Sequence, residues 1–499
     1  MSEHFLWQTW ATVQPDQIAL ITPDTAYSWQ TLTVRIHALA NSLSQQGVQP
    51  GTVVTAVGKN APELVLLHLA CLQLGAITAL TMPQPVLPLR EKLDVLYATE
   101  PNPKGLNPKE LDQKGPNLKA RVRFLWFSEQ ARHRFSEPDW QALTTDATLL
   151  DLAIQPEADC ALSLSDVNAI ASIIFTSGSS GAPKAVAHTQ AQHLASARGL
   201  LDVFSFQQTD CWLLSLPMYH ASGLSILYRW LSAGACLKIG CGKLEDDIQG
   251  VTHASLVATQ LKRLLDQLEQ PQPKRLKLSH VLLGGSDVPL PLCQQAAQRG
   301  IETWLGYGMT EAASTVTAKQ VDAVASAGRV LPNRLVQLRH NRIYIGGQTL
   351  ASGYYHQGQL TPLNDAQGWF DTKDLGLWVD GELRIIGRAD NQFISGGENI
   401  HCEEIEAVLN RHPAIHQSIV IPVACDEYGA RPIALIDAAE DPSTLNLPHW
   451  LANQLDCFKI PDAFYPMPKL PQAGIKVSRQ AMKDWFADHA GDARLIKTL

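Results

Sequence analysis

The sequence predicts an α/β protein: a large N-terminal body of parallel-type α/β sheets, a small β subdomain, and a smaller α+β domain at the C-terminal side. Three observations carry this. Over residues 1–160 helical and strand patterns alternate, which implies a mostly parallel sheet with helices on its faces. From Arg334 to Arg388 the texture changes to short strands and tight turns. There Asp380-Gly381, between Leu377-Trp378-Val379 and Leu383-Arg384-Ile385-Ile386, is a hairpin signal. Beyond Arg388 an amphipathic helix and new strands open a unit of ~110 residues, a size that folds independently.

Length and composition agree. A chain of 499 residues is too long for one core. Hydrophobic content of 45% and charged content of 18% are globular values. A net charge of −8 excludes a nucleic-acid-binding body. Met1-Ser2-Glu3-His4 is neither basic nor followed by a clean apolar run, so no secretory signal is expected. The most apolar segment, Leu64 to Met82, is broken by His68, Gln73 and Gly75 and reads as a core helix followed by a strand, so no stable membrane insertion is expected. Nine cysteines occur without a Cys-x-x-Cys pair, which points away from a zinc site or a disulfide framework. A cytoplasmic enzyme is expected; homo-oligomerisation stays open.

In chain order, Trp29 to Gln46 has helical spacing, Val53 to Val57 reads as a strand, Pro62 to Leu74 as a helix and Ala76 to Thr81 as a strand. Pro101 to Arg123 interrupts the pattern with six basic residues and little apolar content. It reads as a mobile, solvated insertion, with a docking loop for an acidic partner as the alternative. Ala169 to Phe175 reads as a buried parallel strand. A strand through Trp212-Leu213-Leu214 ends at Pro217 and presents Tyr219 and His220, after which Ser222 can cap a helix from about Leu224 to Ser232. Further strands are expected over Ala254 to Ala258 and His280 to Leu283, the latter ending at Gly284-Gly285-Ser286, where a flat ligand can approach the backbone. In the last unit a helix spans Glu403 to His412, strands span Ser418 to Val423 and Pro432 to Ile436, and a helix lies near Trp450 to Cys457.

The chemistry gathers after Phe175, in Thr176-Ser177-Gly178-Ser179-Ser180-Gly181-Ala182-Pro183-Lys184. Glycines let the backbone curl its N–H groups around an anion, the hydroxyls add donors, and Lys184 adds a cation. A Walker loop would need a hydroxyl residue directly after the lysine, and Ala185 stands there.

This stretch resembles the phosphate loop of the adenylate-forming superfamily, which includes acyl-CoA synthetases, luciferases and peptide-synthetase adenylation domains. Its motifs recur in order over essentially the whole chain. Gly306-Tyr307-Gly308-Met309-Thr310-Glu311 resembles the second nucleotide motif. The resemblance puts Tyr307 near adenine, Thr310 at the α-phosphate and Glu311 on magnesium. Gly284, Gly285, Gly306 and Gly308 join Thr176, Ser177, Gly178, Ser179, Ser180, Gly181 and Lys184 around ATP. Trp369-Phe370-Asp371-Thr372-Lys373-Asp374 is similar to a Thr-Gly-Asp segment, with Lys373 in place of the usual glycine, and assigns ribose binding to Asp374. Gly387-Arg388-Ala389-Asp390 resembles the hinge: Arg388 touches ribose or phosphate and Asp390 is the pivot. The implied division is therefore a body over 1–388, with its β subdomain over about 334–388, a hinge at 389–390, and a mobile lid domain over 391–499. Gly474-Ile475-Lys476-Val477-Ser478-Arg479 is similar to the end motif, which makes Lys476 the catalytic lysine, with Thr176, Glu311 and His220 as its catalytic companions. Gly396 and Gly397 line a coenzyme A channel by the same likeness.

The superfamily implies ATP, Mg2+ and coenzyme A. A carboxylate attacks the α-phosphorus, pyrophosphate leaves, and the coenzyme A thiolate then attacks the acyl carbon. Met218-Tyr219-His220 stands where amino-acid-activating members carry an Asp, and no carrier domain follows Lys476, which argues against a peptide-synthetase module. The nearest likeness is to the o-succinylbenzoate–CoA ligases of menaquinone biosynthesis, most plainly in His188-Thr189, Tyr228-Arg229-Trp230-Leu231 and His253-Ala254-Ser255-Leu256-Val257. It implies an aromatic diacid held by His220, Ser222, Arg229, Ser255 and Gly285, with the spare carboxylate on Arg229. On the helix pattern alone Arg229 instead reads as the polar side of an amphipathic helix. A CoA ligase for another aromatic or medium-chain acid, and an inactive nucleotide-binding homologue, are the alternatives.

Overall fold

The computed structural model describes residues 5–97, 122–153, 166–177, 183–268, 276–284, 288–395, 398–425, 428–452, 454–468 and 478–489. The insertion over 101–121 lies outside them, as do Gly178, Ser179, Ser180, Gly181, Gly285, Gly396, Gly397 and Lys476.

Two large sheets form the body. In the first, Glu302–Met309, His280–Leu283, His253–Leu256, Cys211–Leu213, Cys236–Lys238 and Ile18–Ile21 run side by side and parallel, with antiparallel strands added at both edges. In the second, Ile170–Ser177, Ile77–Thr81, Val53–Val57, Arg123–Phe127 and Ala147–Leu149 are parallel, and Pro183–Thr189 returns antiparallel on the outer side of Ile170–Ser177. Every residue of Val53–Val57 and Ile77–Thr81 is buried, as expected of parallel strands covered on both faces. The largest core mixes Val54, Ala56 and Ile174 of one sheet with Leu20, Trp212 and Leu237 of the other. Helices Trp29–Gln45, Pro62–Leu74 and Ala221–Ala233 supply the packing between them. Pro62–Leu74 is apolar around its whole circumference, the pattern of a helix with no solvent face.

A four-stranded antiparallel sheet follows: Arg334–Arg339, Arg342–Gly347, Phe370–Val379 and Glu382–Arg388. Asp380 and Gly381 take φ of 50° and 79°, the left-handed pair that a two-residue hairpin turn requires. Residues after 392 build two cores of their own, around Ile405, Val420 and Leu451 and around Ile421, Leu435 and Met482.

Four expectations change. The hairpin Gly353–His356/Gln359–Thr361 leaves the β region over 334–388 and pairs with Pro183–Thr189 in the second large sheet; strand texture reveals a strand without naming its partner. The strand expected to reach Ala258 stops at Leu256, and Ala258 opens helix Ala258–Leu268. The helix expected after a Ser222 cap starts at Ala221 with His220 in the capping position, because Gly223 lets the first turn close against the Pro217 carbonyl, 2.0 Å from where a Cβ would stand. Near the end, helix Leu447–Ala452 is brief and a 3₁₀ turn covers Cys457–Lys459.

Where the two sheets meet, His68, His188, His193 and Tyr228 form a buried ring cluster. His193 stacks on Tyr228 at 4.4 Å and lies 4.8 Å from His188. His68 bonds Thr78 and the Tyr228 hydroxyl, and His193 bonds Ser172. Burial pushes His68 down to about 3, His188 to about 4 and His193 well below its ordinary value. All three are therefore neutral in the folded protein, while the unfolded chain takes up protons below about pH 6.5. Stability is full above that pH and falls on acidification, with a slope approaching about 4 kcal/mol per pH unit for three histidines. Denaturant midpoints measured from pH 7 to 5 are expected to drop steeply; a flat profile would contradict this.

Candidate active site

The strand Ile170–Ser177 ends at residues 178–182, and the return strand places Lys184 directly opposite Thr176. The sheet thus joins the first and last donors of the predicted phosphate loop. The Lys184 ammonium stands 5.1 Å from the centroid of the Tyr354 ring, and the Tyr354 hydroxyl donates to Glu311 Oε1 at 3.1 Å. Burial, and then Glu311, push the Tyr354 phenol up, so it stays a protonated donor. Tyr354 arrives on the displaced Gly353–His356 strand and carries no motif; only its register beside Ala185 and Val186 brings it here. Thr310 and Glu311 lie in a 3₁₀ turn at the end of Glu302–Met309. The tyrosine bond is to one of the two Glu311 carboxylate oxygens. A lone carboxylate with phosphates and water suits magnesium.

Tyr307, Asp374 and Arg388 come together. The Tyr307 hydroxyl donates to Asp374 Oδ2 at 2.6 Å, and Arg388 Nη1 donates to Oδ1 at 3.1 Å. Asp374 and Arg388 are cross-strand partners in the Asp380-Gly381 hairpin. Burial and Asp374 hold the Tyr307 phenol well above its ordinary value. Lys373 adopts φ of 62°, the left-handed geometry that glycine favours, so the loop keeps a glycine-like shape with lysine in it. Its N–H and that of Asp374 are taken by Asp371 and Thr372. Gly308 and Gly306 answer to packing: a Cβ on Gly308 would stand 1.9 Å from the Ser314 carbonyl, and one on Gly306 2.8 Å from Thr315. A Cβ on Gly284 would meet only the Gly306 carbonyl oxygen, at an ordinary 3.9 Å.

On the acyl side, helix Ala221–Ala233 is buried through nearly its whole length, which overturns the solvated-face reading of Arg229. Arg229 is 2% exposed. Its Nη2 donates to Thr315 Oγ1 at 3.3 Å, its guanidinium lies 5.3 Å from the centroid of the Trp212 ring, and Nε has no partner. No carboxylate pairs with it among the described residues. Burial, then Arg334, lowers its pKa to about 9, so it remains charged at neutral pH. Arg334, also buried, is tied to the carbonyls of Thr315, Pro332 and Ser196 and so fixes the strand bearing Thr315. The Ser255 hydroxyl and His220 Nε2 are likewise buried and unpaired. Ser225 bonds Ser314, which joins the helix to the same strand; Ser222 lies in its first turn, lending its carbonyl to Ser225. Burial, then Lys92, keeps His220 neutral. Thr315 and Arg334 belong to no pattern visible in the sequence.

The turn Ala389–Asn391 contains Asp390, and Asn391 donates to Glu403 at 2.7 Å. Glu403 also takes Arg479, which pairs with Glu406 as well. Arg479 of the end motif thus anchors the helix that meets the turn.

Thr176 set against Lys184, Asp374 held by Tyr307 and Arg388, and Arg229 buried beside Trp212 and Thr315 are thus the features that the structure brings into order around the predicted motifs. The AMP-binding enzyme model matches residues 7–355, and the AMP-binding enzyme C-terminal domain model matches 404–475. The chain belongs to the AMP-binding enzyme family. It is 38% identical to the 2-succinylbenzoate--CoA ligase of Escherichia coli (strain K12) over 481 residues, 96% of this chain and 97% of that one. It is 39% identical to the Haemophilus influenzae enzyme of the same name, covering 96% and 98%. A variant of E. coli MenE with bound OSB-AMS superposes with a TM-score of 0.82 at 36% identity, covering 97% and 98%.

Lys373→Gly should relieve left-handed strain and raise the unfolding free energy by about 0.5–1 kcal/mol, net of the flexibility that glycine adds to the unfolded chain. Denaturant titration checks this. A lower stability would show that the lysine side chain holds the loop.

Proposed function

We propose that this protein is an AMP-forming acid–thiol ligase that activates o-succinylbenzoate as its acyl-adenylate and transfers the acyl group to coenzyme A. Its relatives of that name support the reading along the whole chain. The observation that carries the choice of acid is Arg229: a guanidinium 2% exposed, with Nε unbonded and no carboxylate beside it among the described residues. An uncompensated buried charge costs several kcal/mol, and a substrate with a second carboxylate removes that cost. Trp212 flanks the cation with an aromatic wall, and Ser255 and His220 bring unpaired polar atoms to the acyl side.

In this reading the 176–184 loop holds the phosphates, Asp374 takes the ribose hydroxyls, and Tyr307 lies against the base. Neutral His220 orients the reacting carboxylate without repelling or protonating it. Glu311 would hold magnesium, which when bound would supply neutralisation of phosphate charge. Lys476 stabilises charge on the pentavalent α-phosphorus during adenylation. Rotation of the 391–499 domain about Asp390 then exchanges Lys476 for the Gly396–Gly397 channel before thioester formation.

Two mutations test this. Arg229→Leu should raise KM for o-succinylbenzoate by about 10–1000-fold, corresponding to ~2–4 kcal/mol, with KM for ATP almost unmoved. It should also abolish most of the preference over an analogue lacking the ring carboxylate; normal preference would reopen the choice of acid. Lys476→Ala should collapse pyrophosphate exchange while supplied acyl-adenylate still reacts with coenzyme A. An equal fall in both half-reactions would remove the case for domain rotation.

A further inference from the structure

Helix Val86–Leu96 buries Leu89, Leu93 and Leu96 and brings Lys92 to the end of the second large sheet. Its Nζ donates to Thr81 Oγ1 and Gln84 Oε1, both at 2.9 Å, and stands 5.1 Å from the centroid of the Phe175 ring. Thr81 ends the strand Ile77–Thr81, and Phe175 lies near the end of its parallel neighbour Ile170–Ser177. The carboxyl edge of a parallel sheet is where ligands collect, and here it leads straight into residues 178–182. His220 stands close enough for the Lys92 charge to bear on its imidazole.

The surroundings offer this ammonium no counter-charge. The acceptors of its hydrogen bonds are neutral oxygens, and no carboxylate pairs with it among the described residues. His220 is a titratable group that feels the Lys92 charge, and burial, then that charge, disfavours its protonation. Arg90, Glu91 and Asp94 on its own helix are exposed. Burial lowers the Lys92 pKa to about 8, so the site disfavours the cation without compensating it, and an arriving anion would reverse that. An ammonium has three N–H groups, and the two bonds to Thr81 and Gln84 leave one to spare.

We infer that Lys92 is a further anion-binding residue of this site, giving its remaining N–H to a phosphate group of the nucleotide or of the coenzyme. The inference rests on the ligase reading, in which both ligands visit this cleft. The competing role is structural: Lys92 joins Thr81 to Gln84 and no more.

Calorimetric titration with MgATP and with coenzyme A separates these roles, using the full chain as wild type, Lys92→Met and Lys92→Arg. Lys92→Met should weaken one ligand by about tenfold or more, the loss of a charge-assisted hydrogen bond, while Lys92→Arg stays within about threefold of wild type. A loss confined to MgATP assigns the nucleotide; a loss confined to coenzyme A assigns the coenzyme. Should Lys92→Met melt well below wild type, Lys92→Gln replaces it, because the amide keeps polar reach without charge. Unchanged affinity for both ligands overturns the inference, as does an arginine variant that fails as badly as methionine. No diacid enters the titrations, so an error in the acid leaves their outcome untouched.

Discussion

A guanidinium locked inside a helix-packed core, with no carboxylate beside it among the described residues, sets the terms for the packing around helix Ala221–Ala233. Arg229 is tolerated because Thr315 takes one N–H and Trp212 offers its ring face. Thr315 is in turn held by Arg334, whose own guanidinium is satisfied by three backbone carbonyls. The second arginine adds repulsion to the first, yet it fixes the strand on which the first depends. A helix that looks amphipathic on paper is thereby buried on both faces, its polar positions included.

The nucleotide half rests on a different economy of parts. Two of the predicted pairs are placed by strand register: Thr176 against Lys184, Asp374 against Arg388. Register is rigid, so these pairs need little side-chain ordering when a ligand arrives. Tyr354 then ties Lys184 to Glu311, meeting the first with its ring and the second with its hydroxyl.

Much of this was legible in the sequence, for physical reasons that vary along the chain. Val53–Val57 and Pro62–Leu74 match their expected ends because largely apolar runs bounded by Gly or Pro admit few readings. The Asp380-Gly381 turn was legible because two left-handed residues in succession leave few alternatives. The partner of the Gly353–His356 strand was not, since pairing is a long-range matter, and Tyr354 was lost with it. Thr315 and Arg334 were hidden because their importance lies in what they hold. Arg229 was misjudged by the wheel because polarity marks a solvent face and a buried binding face alike.

The chain passes from Arg388, paired with Asp374, through Ala389–Asn391 to the hydrogen bond between Asn391 and Glu403 in fewer residues than one helical turn. A nucleotide that reshapes the Asp374–Arg388 pair would therefore pull on the connection to the second unit with almost no slack. Were it to do so, thermodynamic reciprocity would make the converse equally binding: a bias in the orientation of that unit would change nucleotide affinity by the same factor. Glu403 is the joint of this linkage, because Arg479 holds it from the far side. Short connectors of this kind turn a flexible tether into a mechanical transmission.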